Sequence, residues 1–155
     1  MKAVPFALSL FALIISIAPS SAAVDAECTR TSHMQIYSVV SNDRETGDLD
    51  GYELAIEQHA DSTVDAWLYI YEGAPNEDAI HISGTISGKK LALRGTWAEH
   101  TIEYPSKKDI VEIHLVEVSG TLDPNSFLGT LKIEDLYTPD HVELKRAHTL
   151  WSCKR

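Results

Sequence analysis

Only two cysteines occur in the chain, Cys28 and Cys153, and nearly all of the sequence that could fold lies between them. If they pair, the two ends of the domain must meet in space. That excludes any fold whose termini lie on opposite sides. There is no C-x-x-C spacing, so a redox pair is not indicated, and a structural disulfide is expected.

The compartment expected from the N-terminus agrees. Lys2 is followed by an apolar run, Phe6 to Ala18, broken only by Ser9 and Ser16, and then by Ser20, Ser21, Ala22 and Ala23. This is the pattern of a secretory signal peptide, residues 1–23, cleaved after Ala23. The alternative, an uncleaved anchor, needs about 20 apolar residues. Export to the periplasm or the exterior places the cysteines where disulfides persist. A bridge closing almost the whole remaining chain is worth about 4–5 kcal/mol in the chain-entropy model.

Residues 24–155 are then expected to form one domain, long enough for its own core. Cleavage removes Lys2 and no acid, which leaves 12 basic against 23 acidic side chains, a net charge of −11. Such a polyanion repels phosphate backbones and anionic lipid, so no nucleic acid and no membrane anchor are expected. A cationic partner is compatible with it, and so is solubility alone.

The body reads as strands between polar turns. Tyr52, Leu54 and Ile56 alternate with Glu53 and Glu57. In Val64–Tyr71 both faces are apolar, with Val64, Ala66, Leu68 and Ile70 opposite Trp67, Tyr69 and Tyr71. Further runs are Gln35–Val40, Ile80–Ile86, Leu91–Trp97, Ile110–Val118 and Phe127–Ile133. Period-two alternation bounded by Gly, Pro, Asn and Asp is the strand signature. No convincing amphipathic helix is found between Val24 and Pro139. Val142–Leu150 reads as a strand, although Pro139 and the spacing of Leu144, Ala147 and Trp151 also fit a helix over residues 139–151.

Seven or eight short strands with hairpin-length links predict an all-β, antiparallel up-and-down meander. A closed barrel, lipocalin-like in shape, is favoured over a β-sandwich. In a barrel the first and last strands are neighbours, and a Cys28–Cys153 bridge would hold that seam. Gly84, Gly95 and Gly129 fall on the apolar faces of their strands, where they permit bends. Gly95-Thr96-Trp97 resembles the Gly-x-Trp of lipocalin-like barrels in residue type. That motif belongs to a first strand and here lies mid-chain, so no family is assigned.

Chemistry is sparsely signalled. The loop from Asn42 to Gly51 holds Asp43, Asp48 and Asp50, yet a calcium reading puts Thr46 in the first ligand position, and a solvated hairpin is expected. None of the seven histidines lies in an H-x-H or H-x-x-x-H pair. Glu112 and His114 share a strand face, but two ligands do not make a zinc site. No Gly-x-Ser-x-Gly occurs and no carboxylate pair stands out, so no catalytic residue, metal or cofactor is assigned.

Three functions follow. The first is a non-catalytic barrel binding a small, partly apolar ligand, with Tyr52, Trp97 and Phe127 on inward positions and with Arg146 and His148 inward if the last strand keeps its register. The second is a protein-binding module, such as an inhibitor of a cationic exported enzyme, using the outward aromatics Trp67, Tyr69 and Tyr71. The third is a hydrolase with unidentified carboxylates. The disulfide is the most direct expectation to test. Thiol labelling of the folded, non-reduced protein should leave Cys28 and Cys153 unmodified, and quantitative labelling of both would contradict it.

Overall fold

The computed structural model describes residues 21–75, 79–103, 105–135 and 141–154, with the side chains of 21–23 and 74–75 left aside. The leader expected over residues 1–23 lies outside these except for its last three, whose backbone opens a helix. That helix is α1, Ser21–Thr31. Nine strands follow: β1 Gln35–Ser38, β2 Ser41–Asn42, β3 Leu49–Gln58, β4 Thr63–Pro75, β5 Ile80–Ser87, β6 Lys90–Glu103, β7 Lys108–Asp123, β8 Ser126–Ile133 and β9 Val142–Ala147. A 3-10 turn, Trp151–Cys153, ends the chain.

The strands form one antiparallel meander. Their order is β1-β9-β8-β7-β6-β5-β4-β3-β2, and β1 also pairs with β3, which closes the sheet. The result is an eight-stranded barrel with β2 as an extra short strand. Closure removes the free edges that an open sheet would expose. A tight hairpin joins β5 to β6, with Ser87 paired to Lys90. Gly88, at φ 59°, makes the left-handed step that so tight a turn requires.

The alternation read from the sequence sorts the side chains into two layers. Leu54, Ile56, Val64, Ala66, Leu68, Ile70, Ile82, Leu93, Val116, Val118, Phe127 and Leu144 fill the barrel interior. Trp67, Tyr69 and Tyr71 lie outside the wall, as their phase predicts, but the tyrosines are buried and Trp67 is half-buried. They belong to a second cluster with Met34, Ile36, Ala55 and Leu150, and Trp151 and Cys153 pack on it. The cover over this aromatic face is the chain's own ends.

This cover contains the main departure from the sequence reading. No convincing helix was expected between Val24 and Pro139, yet α1 is helical. Val24, Glu27, Cys28 and Thr31 occupy its inward face at helical spacing, half-buried or buried. A face made of Val, Glu, Cys and Thr carries no strong apolar stripe, so periodicity alone misses it. The last segment resolves as the strand β9 followed by the 3-10 turn, and residues 136–140 lie outside the described part.

Polar groups tie the cover down. Cys28 and Cys153 are bonded, with Cα atoms 5.7 Å apart, and join α1 to the C-terminal turn. The Glu53 carboxylate, on the outer face of β3, is fully buried. It accepts the Tyr71 hydroxyl at 2.6 Å and the Trp151 backbone N–H at 2.8 Å. A buried carboxylate is tolerable only when its oxygens are satisfied in this way. Glu27 of α1 accepts the Tyr69 hydroxyl and pairs with Arg30. The Arg30 guanidinium lies 4.7 Å from the centre of the Trp67 ring.

Burial first, and then the hydrogen bond to Glu27 or Glu53, pushes the Tyr69 and Tyr71 hydroxyls well above the usual tyrosine pKa. The folded chain therefore holds these protons when the unfolded chain has released them. Stability from this source is intact below the unfolded tyrosine value of about 10 and falls as pH rises above it. Above the histidine range the urea midpoint should hold to about pH 9 and decline above about pH 10, and Tyr71→Phe should flatten that decline. An unchanged slope in Tyr71→Phe would contradict the assignment.

Candidate functional site on the β6–β7 arm

β6 and β7 are longer than their neighbours. Pairing of β5 with β6 stops at Gly95, and pairing of β7 with β8 stops at Val116. Beyond those points β6 and β7 pair only with each other, from Thr96↔Leu115 to Glu103↔Lys108. The hairpin thus leaves the barrel as a two-stranded arm. Its outer edges lack strand partners among the described residues, and its two faces differ.

The outward face carries Ala98, Ile102, Val111, Ile113 and Leu115 in adjacent positions, because Ala98 pairs with Ile113 and Thr96 with Leu115. Ile113 is 61% exposed and Ile102 56%, with Val111 and Leu115 also exposed. Single exposed apolar residues are common, but a contiguous row of them on a projecting strand pair is a mark of a contact surface. The arm also carries Glu99, Glu103, Asp109 and Glu112 against Lys107 and Lys108. His100 meets Asp109 at 3.3 Å on the outward face.

The inward face continues the phase of the barrel interior. Trp97 is opposite His114 and Glu99 is opposite Glu112. Trp97 packs on the edge of the core, and its indole lies 5.5 Å from the His114 ring. His114 is 4% exposed. Its Nδ1 lies 3.0 Å from the backbone oxygen of Glu134, which can only accept, so Nδ1 carries the proton. Its Nε2 lies 3.2 Å from Glu99 Oε2, off the direction of a hydrogen bond, and has no hydrogen-bond partner. The sequence reading gave Glu112 and His114 a shared strand face and no third ligand, which a solvated outer face would suit. For His114 that is corrected: it points inward under Trp97, and the register adds Glu99.

The other residues singled out from the sequence are dispersed. Phe127 is fully buried, and its ring covers the paired Gly120 and Gly129. A methyl group on either glycine would also meet the facing backbone at 2.1–2.4 Å, so the space those glycines leave is taken by the neighbouring strand and by Phe127. Tyr52 is half-buried and packs against the core from the end of β3 nearest the arm. At the opposite end, Arg146 keeps the inward phase, but it is exposed and lays its guanidinium 5.3 Å from the centre of the Tyr37 ring. His148 is exposed beyond the end of β9. The candidates therefore do not converge on one internal pocket. A depression of about 270 Å³ lies on the outside instead, where Ser83, Ala92 and Ser119 are small and the Arg94–Glu117 pair, at 2.9 Å, crosses it.

A second polar cluster lies on the outer face of β4. Asp65 accepts from His59 at 2.9 Å and from His81 at 3.0 Å. The His59 bond, opposed by burial and aided by His81, holds the Asp65 carboxyl below the usual range. The His81 ring also lies 5.1 Å from that of Trp67, tilted by 42°, so this cluster touches the aromatic layer. The loop at Asp43 is a self-contained turn, its carboxylate accepting the N–H groups of Glu45 at 2.7 Å and Thr46 at 3.2 Å. Among the described residues, no helix is long and apolar enough to cross a membrane.

The chain matches no protein-family model, no curated protein and no solved structure. The fold defines it as a closed antiparallel β-barrel with a disulfide-clasped outer layer and a projecting arm.

The arm should be separable from the core in stability. Leu93→Ala, in the interior of the same strand, should cost about 2–5 kcal/mol through the cavity it leaves. Ile113→Ala should fall within about 0.5 kcal/mol of the parent, as exposed positions do. Chemical denaturation of the two variants checks this, and a loss at Ile113 as large as that at Leu93 would mean that the outward row is packed.

Proposed function

We propose that this is an exported, non-catalytic protein-binding module that captures a basic protein on the outward face of the β6–β7 arm. The single observation that carries the reading is the contiguous exposed row Ile102, Val111, Ile113 and Leu115 on a hairpin that leaves the barrel. The sequence reading sought the partner surface in Trp67, Tyr69 and Tyr71. Those residues lie beneath α1 and the C-terminal turn, so the surface moves to the arm.

Charge selects the kind of partner. A chain with net charge −10, or −11 after cleavage, repels a second copy of itself and attracts a cationic protein. Long-range attraction raises the rate of encounter, and burial of the apolar row holds the complex once formed. The disulfide suits an oxidising compartment, which is where export would place both partners. A small, partly apolar ligand is the second reading, and it is favoured by Tyr52 and Trp97, half-buried near the arm.

Surface-immobilised protein can be tested against a panel of strongly basic exported hydrolases, with acidic proteins of similar size as controls. Binding should fall as salt rises, because exposed charges are screened over about 8–10 Å at physiological ionic strength. The double variant Val111→Ser, Ile113→Ser should dissociate at least about tenfold faster, the scale expected for losing central apolar contacts. Equal binding by the double variant, or no preference for basic proteins, would contradict the reading.

A further inference from the structure

We propose that Glu99, Glu112 and His114, on the inward face of the arm, form a divalent-cation site suited to Zn²⁺. This site does not depend on what the outward face binds.

The three side chains come together through the register of β6 and β7. Glu99 and Glu112 are directly opposite, and His114 is two residues along on the same face. One ligand atom from each lies within 4.8 Å of the others. Two carboxylates directly opposite on a strand pair repel each other and weaken the hairpin unless something positive lies between them. Among the described residues, no lysine or arginine is paired with either one.

His114 supplies the second observation. Its Nδ1 proton is fixed by the Glu134 carbonyl, which leaves Nε2 as the ring nitrogen that faces the two carboxylates. That nitrogen is buried, has no hydrogen-bond partner and faces the Glu99 carboxylate at 3.2 Å. A cation between them satisfies both groups and relieves the Glu99–Glu112 repulsion. A backbone carbonyl that holds the distal ring nitrogen is the usual support for a metal-bound histidine. Trp97, its ring tilted 36° to the imidazole at 5.5 Å between centroids, packs against one side of it.

The donor set selects the ion. One imidazole nitrogen and two carboxylates suit Zn²⁺, which takes three protein ligands and keeps a fourth position for water. Calcium needs six to eight oxygens and finds too few here. The partial exposure of Glu99 leaves a route in for the ion.

The test is calorimetric titration of the untagged, disulfide-bonded protein with Zn²⁺ alone, and with Ca²⁺ in parallel. One saturable Zn²⁺ per chain is expected, with Ca²⁺ at least about a hundredfold weaker, since the site lacks the oxygens that Ca²⁺ requires. Glu99→Gln and Glu112→Gln should each weaken Zn²⁺ at least about tenfold, because each removes a charged ligand. His81→Ala, in the separate Asp65 cluster, should bind as the parent does. The role of buried His114 is read without replacing it, from the nitrogen-15 resonance of its Nε2, which should move on adding Zn²⁺. No saturable binding, unchanged affinity in both glutamine variants, loss in His81→Ala, or an unmoved Nε2 would each overturn the site.

Discussion

The outer layer of this protein depends on the bond between Cys28 and Cys153. Neither element it joins is built to hold itself in place. α1 offers a half-polar face, and the C-terminal turn is three residues long. Isolated helices of that length are marginal in water. Joined to each other, they lie across β3 and β4 and bury Tyr69, Tyr71 and Leu150. The buried Glu53 carboxylate then has its donors, the Tyr71 hydroxyl and the Trp151 N–H, held where it needs them. Each part therefore makes sense only with the others: without the C-terminal turn, Glu53 would be a buried carboxylate short of hydrogen bonds, which is costly.

The clasp also explains why one strand is apolar on both faces. Val64, Ala66, Leu68 and Ile70 serve the barrel interior, while Trp67, Tyr69 and Tyr71 serve the outer layer. The aromatics chosen for the outer layer carry hydroxyls, or a face for a cation. Those features are used by Glu27, Glu53 and Arg30. What reads in the sequence as a surface awaiting a partner is thus filled from within the chain. Among the described residues, Ile102, Val111, Ile113 and Leu115 stay exposed on the arm, where strand pairing outruns the barrel.

How much was legible follows from what each signal measures. Alternation reports one strand's burial, so the inward phase of Leu68 and Ile70 and the outward phase of Tyr69 were readable. The closed meander followed from strand count and link length. Alternation does not report where a neighbouring strand stops, so the arm was invisible: Leu91–Trp97 was read as ending where β6 in fact continues to Glu103. Nor does it report cross-strand register. Glu99 therefore could not be joined to Glu112 and His114, the pair that alternation does put on one face. Arg146 shows the opposite limit. Its phase is inward, as read, but it lies at the barrel end and reaches out over Tyr37 to solvent. α1 was missed because its buried face is made of Val24, Glu27, Cys28 and Thr31.

The central claim is that the disulfide holds a separate outer layer on a barrel that closes by its own strand pairing. Amide hydrogen exchange on Cys153→Ser tests this most directly, because exchange resolves local opening from global unfolding. The account predicts that amides of α1 and of the C-terminal turn lose protection, while amides of β5, β6, β7 and β8 within the barrel keep most of theirs. Unchanged protection in α1, or an equal loss throughout the barrel, would contradict it.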